Sequence, residues 1–523
     1  MTEERFYLSL LSILAAITAA VVALVALGLH RNFLTIACDT AVLQSGIVNT
    51  LHGHWFETDG PGGPSILSAH TTFLLLLVIP IYVLAPSPDT LFVLQIIGVY
   101  STVIPLYLVA LEILKRPQIA FGIALIALAS PLLVHMAFAP FHLETWIAAA
   151  VLWSYLFYLR NVGLGFAAAF FFAVCCGEQA ALIYIALGMS LIFFDDGLAW
   201  RKPYGRAALL AGLTWVILDA LVVVPLARGS YPFNIFSYNY AQWGIHSPTE
   251  LPRAVLAHPG LAFALLASPS RWIHVGSLMG LPLIMALFSR RSVILLAPFP
   301  LFFLMSDQEF FLYFHAYYYT FAFVAGYLGL ILFLARPALA VRVVIVVMTF
   351  TLFFNMFLLC PAAGFYLRFE EARDDAFSKT LHQVFETLPP EAGVYTPHRY
   401  SAYLSNRQVM VIGDLRDSNL YFKVMMDAQY NVTHVHPEQI DFIVCDILTD
   451  QCGWRLGYPD ADQQQARRVN VDRLLKSGQW KLFWGQSDVF ILQRVPDGTG
   501  PTPENTAPTS GAKTSPAQGG TKS

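Results

Sequence analysis

The residues of this 523-residue chain best suited to chemistry are acids and histidines that interrupt long apolar runs. Asp39 opens the stretch DTAVLQSGIVNTLHGHW, which also carries Gln44. His70 stands just before TTFLLLLVIP. His142 and Glu144 fall in PLLVHMAFAPFHLETW, Glu178 in AVCCGEQAAL, and His315 and Tyr318 in FHAYYY. A carboxylate at such a position can take the proton from an attacking hydroxyl. Ionisable groups in or beside apolar segments are costly to place, so each position needs a reason.

Each also has a plainer explanation. Asp39 fits a helix N-cap as well as a catalytic acid. Glu144 near a helix start is favoured by the helix dipole, and Tyr317 to Tyr319 suit an interfacial aromatic belt. Glu178 is harder to explain by stability, because it is the only charge in the 32 residues 163–194. Asp219, within the apolar stretch 207–227, suits either a helix–helix pair or a transport path.

The composition says what must hold these residues. The chain is 56% hydrophobic and 12% charged, whereas a soluble domain carries roughly 25% charged residues. Residues 1–360 hold 15 of the 31 Lys and Arg and 15 of the 34 Asp and Glu, leaving 35 charges for the last 163 residues. The first part is membrane-embedded and the second water-soluble, which excludes a soluble cytosolic enzyme. A net charge of −3 gives no reason to expect a nucleic-acid partner.

A crossing helix needs about 20 apolar residues. The expected spans are 6–29, 90–113, 119–138, 143–159, 163–176, 179–194, 207–227, 272–288, 292–305, 316–335 and 341–360. The segment 6–29 is too long for a signal peptide and is read as a retained first helix. The stretch 71–85 is short, contains Pro80 and runs into Pro86 and Pro88, so it is read as lying at the interface. About eleven crossings with a cytoplasmic N-terminus put 11 Lys and Arg inside and four outside (Arg31, Arg228, Arg253 and Arg271), as the positive-inside rule requires. Letting 71–85 cross would destroy that bias.

On this topology Asp39, His52, His54, Glu57, Asp59, His70, His142, Glu144, Glu178, Asp307, Glu309 and His315 gather at the outer face from five connections. Asp39 heads an amphipathic helix lying on the surface, within an outer loop spanning 30–89. Residues 361–495 form an extracytoplasmic α/β domain. It is read as a helix at 370–388, strands at 393–395, 408–412 and 440–445, a helix at 461–477, and a hairpin of 480–484 with 489–494. Residues 496–523 read as a disordered tail. Cys445 and Cys452 lie where a disulfide is permitted. No Walker or GxGxxG phosphate loop is present, which argues against an ABC-type pump in this chain.

A first helix, a long outer loop with an early Asp and a second short acidic loop together resemble the GT-C glycosyltransferases. These are membrane enzymes that use polyprenyl-phosphate sugars, and they include protein mannosyltransferases and the aminoarabinose transferases of lipid A. More closely, the chain resembles the membrane family catalogued as domain of unknown function 2079. The matching pieces are Asp39 to Gln44 with Asn49 and Gly53, then His70, Phe141 to Glu144, Gly177-Glu178, and His315 with Tyr318. Leu388 to Val394 and Leu404 to Arg407 match in the C-terminal part.

The resemblance implies a polytopic α-helical GT-C-like fold in the plasma membrane of a bacterium or archaeon. It implies catalytic roles for Asp39, Glu144 and Glu178, with Gln44, His70, His142, His315 and Tyr318 binding substrate. The partners implied are a polyprenyl-phosphate-linked sugar donor, the lipid bilayer, and an acceptor glycan, lipid or protein. A divalent metal would fall to Asp39, Glu144, Glu178, His70 and His142, although their spacing matches no metal signature. Glu178 stands where mannosyltransferase-like relatives often carry lysine, so the positive charge for a carrier phosphate falls to one of the four outer arginines. Two other readings remain open. A lipid-linked substrate transporter would need charges along the depth of the bundle, and a non-catalytic anchor for 361–495 would not explain the gathered acids.

Overall fold

The computed structural model describes residues 2–35, 38–58, 64–194, 202–229, 240–246, 250–300, 316–336, 371–373, 375–413, 437–448, 450–451, 456–457 and 461–496, with the single positions 237, 306, 346, 349 and 353. The expected span 341–360 apart from 346, 349 and 353, the tail 496–523 beyond Pro496, and Asp59, Asp307, Glu309, His315 and Cys452 lie outside the described residues.

The first helix, α1, is Glu3–Arg31, with Glu3 and Glu4 in its first turn and His30 and Arg31 in its last. Both ends thus complement the helix dipole. Its 29 residues reach about 44 Å, enough to cross a bilayer. Ile13, Ile17 and Leu24 form an exposed apolar stripe, while Leu11, Val22, Val25 and Leu29 are buried against α4 (Pro88–Ser101) and α6 (Pro117–Leu128). Among the described residues, Glu3–Arg31, Pro88–Leu114 and Lys202–Arg228 are long and apolar enough to cross a membrane.

Between them, α2 is Cys38–Leu51 and α3 is Leu75–Leu84. The sequence suggests a surface-lying α2. Instead it is buried on nearly every side from Thr40 to Asn49, with Ala41 and Val42 packed into the apolar cluster of the C-terminal unit and Asn49 bonded to Ser45 and to the Glu57 carbonyl. The ten residues of α3 span about 15 Å, half the hydrocarbon core.

After α4 come α5 (Val103–Leu114), α6 and α7 (Pro131–Phe138). The segment 119–138 is not one straight span, since α6 and α7 meet at 45°. Pro131 has no N–H to continue the ladder, and its ring would strike the carbonyl four residues back. Then follow α8 (Ile147–Leu159), α9 (Gly163–Cys176), α10 (Gln179–Phe194) and α11 (Lys202–Leu218). A single π-turn at Asp219–Val223 leads on to α12 (Val224–Arg228). α10 and α11 approach closely at Gly188 and Gly212. A Cβ on Gly188 would lie 2.5 Å from the Leu209 nitrogen, and one on Gly212 would lie 2.8 Å from the Ala181 oxygen. Small residues permit such approach between apolar helices.

The expected span 272–288 is also interrupted. Pro269–Met279 and Leu281–Ala286 are separate helices, broken at Gly280 with φ +58°. The helix Thr320–Leu334 is almost wholly buried and packs against Leu281–Ala286, Arg290–Leu296, α5 and α8.

The C-terminal unit holds β1 (Val394–Thr396), β2 (Met410–Ile412), β3 (Phe442–Asp446), β6 (Trp480–Gln486) and β7 (Val489–Arg494) in the order β2-β1-β3-β7-β6. A separate ladder pairs β4 (Asp450–Gln451) with β5 (Leu456–Gly457). β1 runs parallel to β2 and β3, and β7 is antiparallel to β3 and β6. Ser487 and Asp488 both have positive φ, at 49° and 65°, the geometry that turns a two-residue hairpin. Alternate residues face opposite sides of the sheet. One side, with Val394, Met410, Phe442 and Ile491, packs against the helix Ala376–Glu386. The other, with Tyr395, Ile443 and Leu492, packs near Ala461–Lys476.

Candidate functional site

Four interruptions of the bundle meet at one place: the start of α2, the segment before α3, the α7–α8 break and the α9–α10 break. Asp39 sits in the first turn of α2. Its neighbour Thr40 accepts the Phe141 N–H at its hydroxyl, at 2.9 Å. Gln95, buried in α4, donates to the carbonyls of Met136 (2.9 Å) and Ala139 (2.7 Å) and accepts the His142 N–H at 2.6 Å. These bonds satisfy backbone groups freed by the end of α7 and fix the extended segment that presents His142.

His142 Nδ1 donates to the Pro140 carbonyl at 3.0 Å, because a carbonyl can only accept. Its Nε2 therefore faces Asp39, 3.7 Å from Oδ2. Two residues on, Glu144 is buried in the turn Leu143–Trp146. Gly177 leaves room for it, since a Cβ there would lie 2.7 Å from Glu144 Cγ.

His70 links the second pair of breaks. Its Nδ1 is 3.2 Å from Glu178 Oε1 and 3.6 Å from Glu144 Oε1. The Thr71 N–H donates to Glu178 Oε2 at 3.3 Å, and the Thr71 hydroxyl donates to Asp219 Oδ1 at 2.9 Å. Leu74 N–H donates to the Cys175 carbonyl at 2.8 Å, which pins this segment to the end of α9. Burial of the His70 ring works against its charge. The Glu178 carboxylate, assisted by Glu144 and Asp39, outweighs that and raises His70 to about 10. Burial likewise opposes the charge on Glu178, but His70 and the backbone N–H groups hold its carboxyl below the usual range.

The structure thus brings Asp39, His70, His142, Glu144 and Glu178 into one cluster. It adds Asp219, whose sequence setting in an apolar run gave no hint of this partner. Thr40, Gln95 and Thr71 were equally invisible as site residues, because uncharged side chains in apolar helices carry no distinguishing spacing. Gln44 does not join. Five residues along α2 from Asp39, it is rotated by about 140° and is fully buried. The Tyr82 hydroxyl is close enough to influence it, yet by distance and angle neither amide atom has a hydrogen-bond partner. Tyr318 is buried in the turn Ala316–Tyr319, which packs beside the Glu144 turn. His54 pairs with Glu57 at 3.3 Å on an exposed loop.

Acids outnumber histidines in the cluster, so it suits a cation or a proton to be removed. Among the described residues no group of three or more His, Cys, Asp or Glu is arranged to hold a metal ion, and His70 Nδ1 faces two carboxylates with its proton. Of the four arginines considered for an anion, Arg31 pairs with Asp89 at 2.8 Å and is exposed. Arg271 is buried and donates to the Ser306 carbonyl at 3.0 Å, on a helix packed against α7.

A family model described as Predicted membrane protein (DUF2079) matches residues 29–487. No curated protein matches the chain in sequence. Among solved structures, the chain is similar to the crystal structure of ArnT from Cupriavidus metallidurans bound to undecaprenyl phosphate, with TM-score 0.51 and 14% identity over 94% of this chain and 99% of that one. The apo structure of the same protein gives TM-score 0.45 and 15% identity over 93% and 100%. At such identity the likeness is one of fold alone.

Proposed function

Because the chain belongs to the Predicted membrane protein (DUF2079) family and shares the fold of ArnT, we propose that it is a membrane glycosyltransferase. It would transfer a sugar from a polyprenyl-phosphate donor to an acceptor at the outer face of the membrane. The observation that carries this reading is the His70 ring between Glu144 and Glu178, with the Asp39–His142 pair beside it. The reading keeps the eleven-crossing topology, the cytoplasmic N-terminus and the extracytoplasmic C-terminal unit.

The acceptor hydroxyl oxygen attacks the anomeric carbon. The bond from that carbon to the phosphate oxygen breaks, and the polyprenyl phosphate leaves with the electron pair. Asp39 is the base that takes the hydroxyl proton, since it is a third exposed whereas Glu144 is sealed off. His142 Nε2 lies 3.7 Å from Asp39 Oδ2, where it orients the carboxylate. Glu144 and Glu178 keep His70 protonated, and that imidazolium holds the two carboxylates together beside Asp39. The charge that meets the phosphate is assigned to Arg271, a buried guanidinium on a helix packed against α7.

The transporter reading rested on Asp219 as a charge within the bundle. Its bond to Thr71 joins it to the same cluster, so that support falls away. Native mass spectrometry of the protein with undecaprenyl phosphate tests the donor half of the reading. Retention of the lipid by the wild type and its loss in Arg271→Gln are expected. Equal displacement by phosphatidylglycerol would overturn the reading.

A further inference from the structure

Helix α1 ends in a turn that ordinarily calls for glycine. Phe33 N–H donates to the His30 carbonyl and Leu34 N–H to the Leu29 carbonyl, both at 2.9 Å. That pair of bonds closes a helix with a left-handed residue at the position Phe33 occupies. Its φ is +56°, a region where a Cβ is strained and a bulky side chain is rare. Such a residue persists only where the surroundings over-determine it.

The C-terminal unit supplies those surroundings. The Phe33 ring is 1% exposed. It stacks on His382 at 4.5 Å and lies 5.0, 5.3 and 6.0 Å from the rings of Tyr400, Tyr403 and Phe385. Phe33 and Ala41 belong to the same buried cluster as one face of the sheet. The backbone is held too. Arg399 Nε donates to the Phe33 carbonyl at 3.0 Å while its Nη1 donates to Asp446 Oδ2 at 3.1 Å. Asp446 is itself fixed by the Tyr400 hydroxyl at 2.7 Å. His382 Nε2 donates to the Arg31 carbonyl at 2.8 Å, and the Asn32 amide donates to the carbonyls of Glu371 and Arg373.

We infer that the C-terminal α/β unit is a positioning element for Asp39. Arg399 and the aromatic box around Phe33 clamp the turn that leaves α1, and the contact at Ala41 holds the first turns of α2. Asp39 lies between those two fixed points. The Phe33 ring, unlike the glycine that the turn itself prefers, gives the unit something to grip. Arg399 acts through Phe33 and is a positioning residue, remote from the reacting atoms. The significance given to Asp39 rests on the transferase reading; the clamp does not.

Hydrogen exchange on the full-length protein in nanodiscs tests the clamp without any substrate. In Arg399→Met the amides of Phe33, Leu34 and the middle of α2 should exchange about tenfold faster, with those of β1, β3 and β7 unchanged. Arg399→Lys keeps the charge beside Asp446 but cannot span both acceptors, and should fall between the two. Phe33→Gly should leave the α1-end amides protected, because glycine suits that turn, while loosening α2. Wild-type protection of α2 in both Arg399→Met and Phe33→Gly would overturn the inference. So would a loss of protection spread equally through the sheet, which would make Arg399 a residue of the sheet alone. Once a donor is known, Arg399→Met should lower kcat with KM little changed. An unchanged kcat beside loosened α2 amides would count against the transferase reading and leave the clamp standing.

Discussion

His70 Nδ1 and Glu178 Oε1 lie 3.2 Å apart across 108 residues of sequence, tying the segment before α3 to the break between α9 and α10. The contact decides the charge state of the site. A histidine alone in such surroundings would be neutral, but between two carboxylates it holds its proton.

Removing the imidazole should therefore leave Glu144 and Glu178 facing each other. His70→Gln is expected to destabilise the protein by about 2 kcal/mol, less than the roughly 3–5 kcal/mol of a fully buried pair, because His70 and Glu178 are 28% and 33% exposed. Adding Glu178→Gln should recover part of the loss. Thermal unfolding in detergent compares the single and double variants, and additive losses would contradict the coupling.

The same pair sets a pH dependence. The pKa of His70 is raised from 6.5 to about 10 by folding, so its stabilising contribution is complete below about 6.5 and is lost as the pH rises through about 10. Glu178 is shifted downward, so its contribution is present above the ordinary carboxylate range and is lost as the pH falls. The Tm difference between wild type and His70→Gln should be greatest near neutrality and shrink above pH 9 or so. A difference that persists unchanged to pH 11 or so would contradict the assignment.

Gly177 has φ 171°, an extended backbone open to any residue, so its constraint is one of space. Gly177→Ala places a methyl 2.7 Å from Glu144 Cγ and should cost about 1–3 kcal/mol of stability. Combining it with Glu144→Ala should relieve the clash and restore stability relative to Glu144→Ala alone. Unfolding midpoints of the four proteins complete the cycle.

Gln95→Leu removes the partner of two carbonyls and the His142 N–H at once. A loss on the order of 3 kcal/mol is expected for these buried groups. Hydrogen exchange at the His142 amide should rise with it, and an unchanged amide would show that Thr40 alone holds the segment.

Much of this arrangement is legible in the sequence, for identifiable reasons. The boundaries of α9 and α10 follow from an uninterrupted apolar run on each side of Gly177-Glu178, and the C-terminal strands follow from short β-type runs between turn residues. Interrupting acids and histidines advertise themselves because apolar surroundings make them expensive. Which interruption meets which is a tertiary fact, and no local pattern links His70 to Glu178 or Thr71 to Asp219. The bend at Pro131 and the break at Gly280 are hidden by apolar content that continues across both. The burial of α2 is not legible because its partners, the C-terminal cluster at Ala41 and the Glu57 carbonyl at Asn49, are set by tertiary structure. Phe33 looks like an ordinary apolar residue until its backbone is known.

The central claim is that Asp39 serves sugar transfer from a lipid phosphate. Its most direct test is release of undecaprenyl phosphate from a panel of polyprenyl-phosphate sugars, by wild-type and Asp39→Asn protein in nanodiscs. The account predicts that the wild type turns over at least one donor, and that Asp39→Asn loses about a hundredfold or more of that rate at an unchanged Tm. Turnover by Asp39→Asn at the wild-type rate, or no turnover of any donor by the wild type, would contradict it.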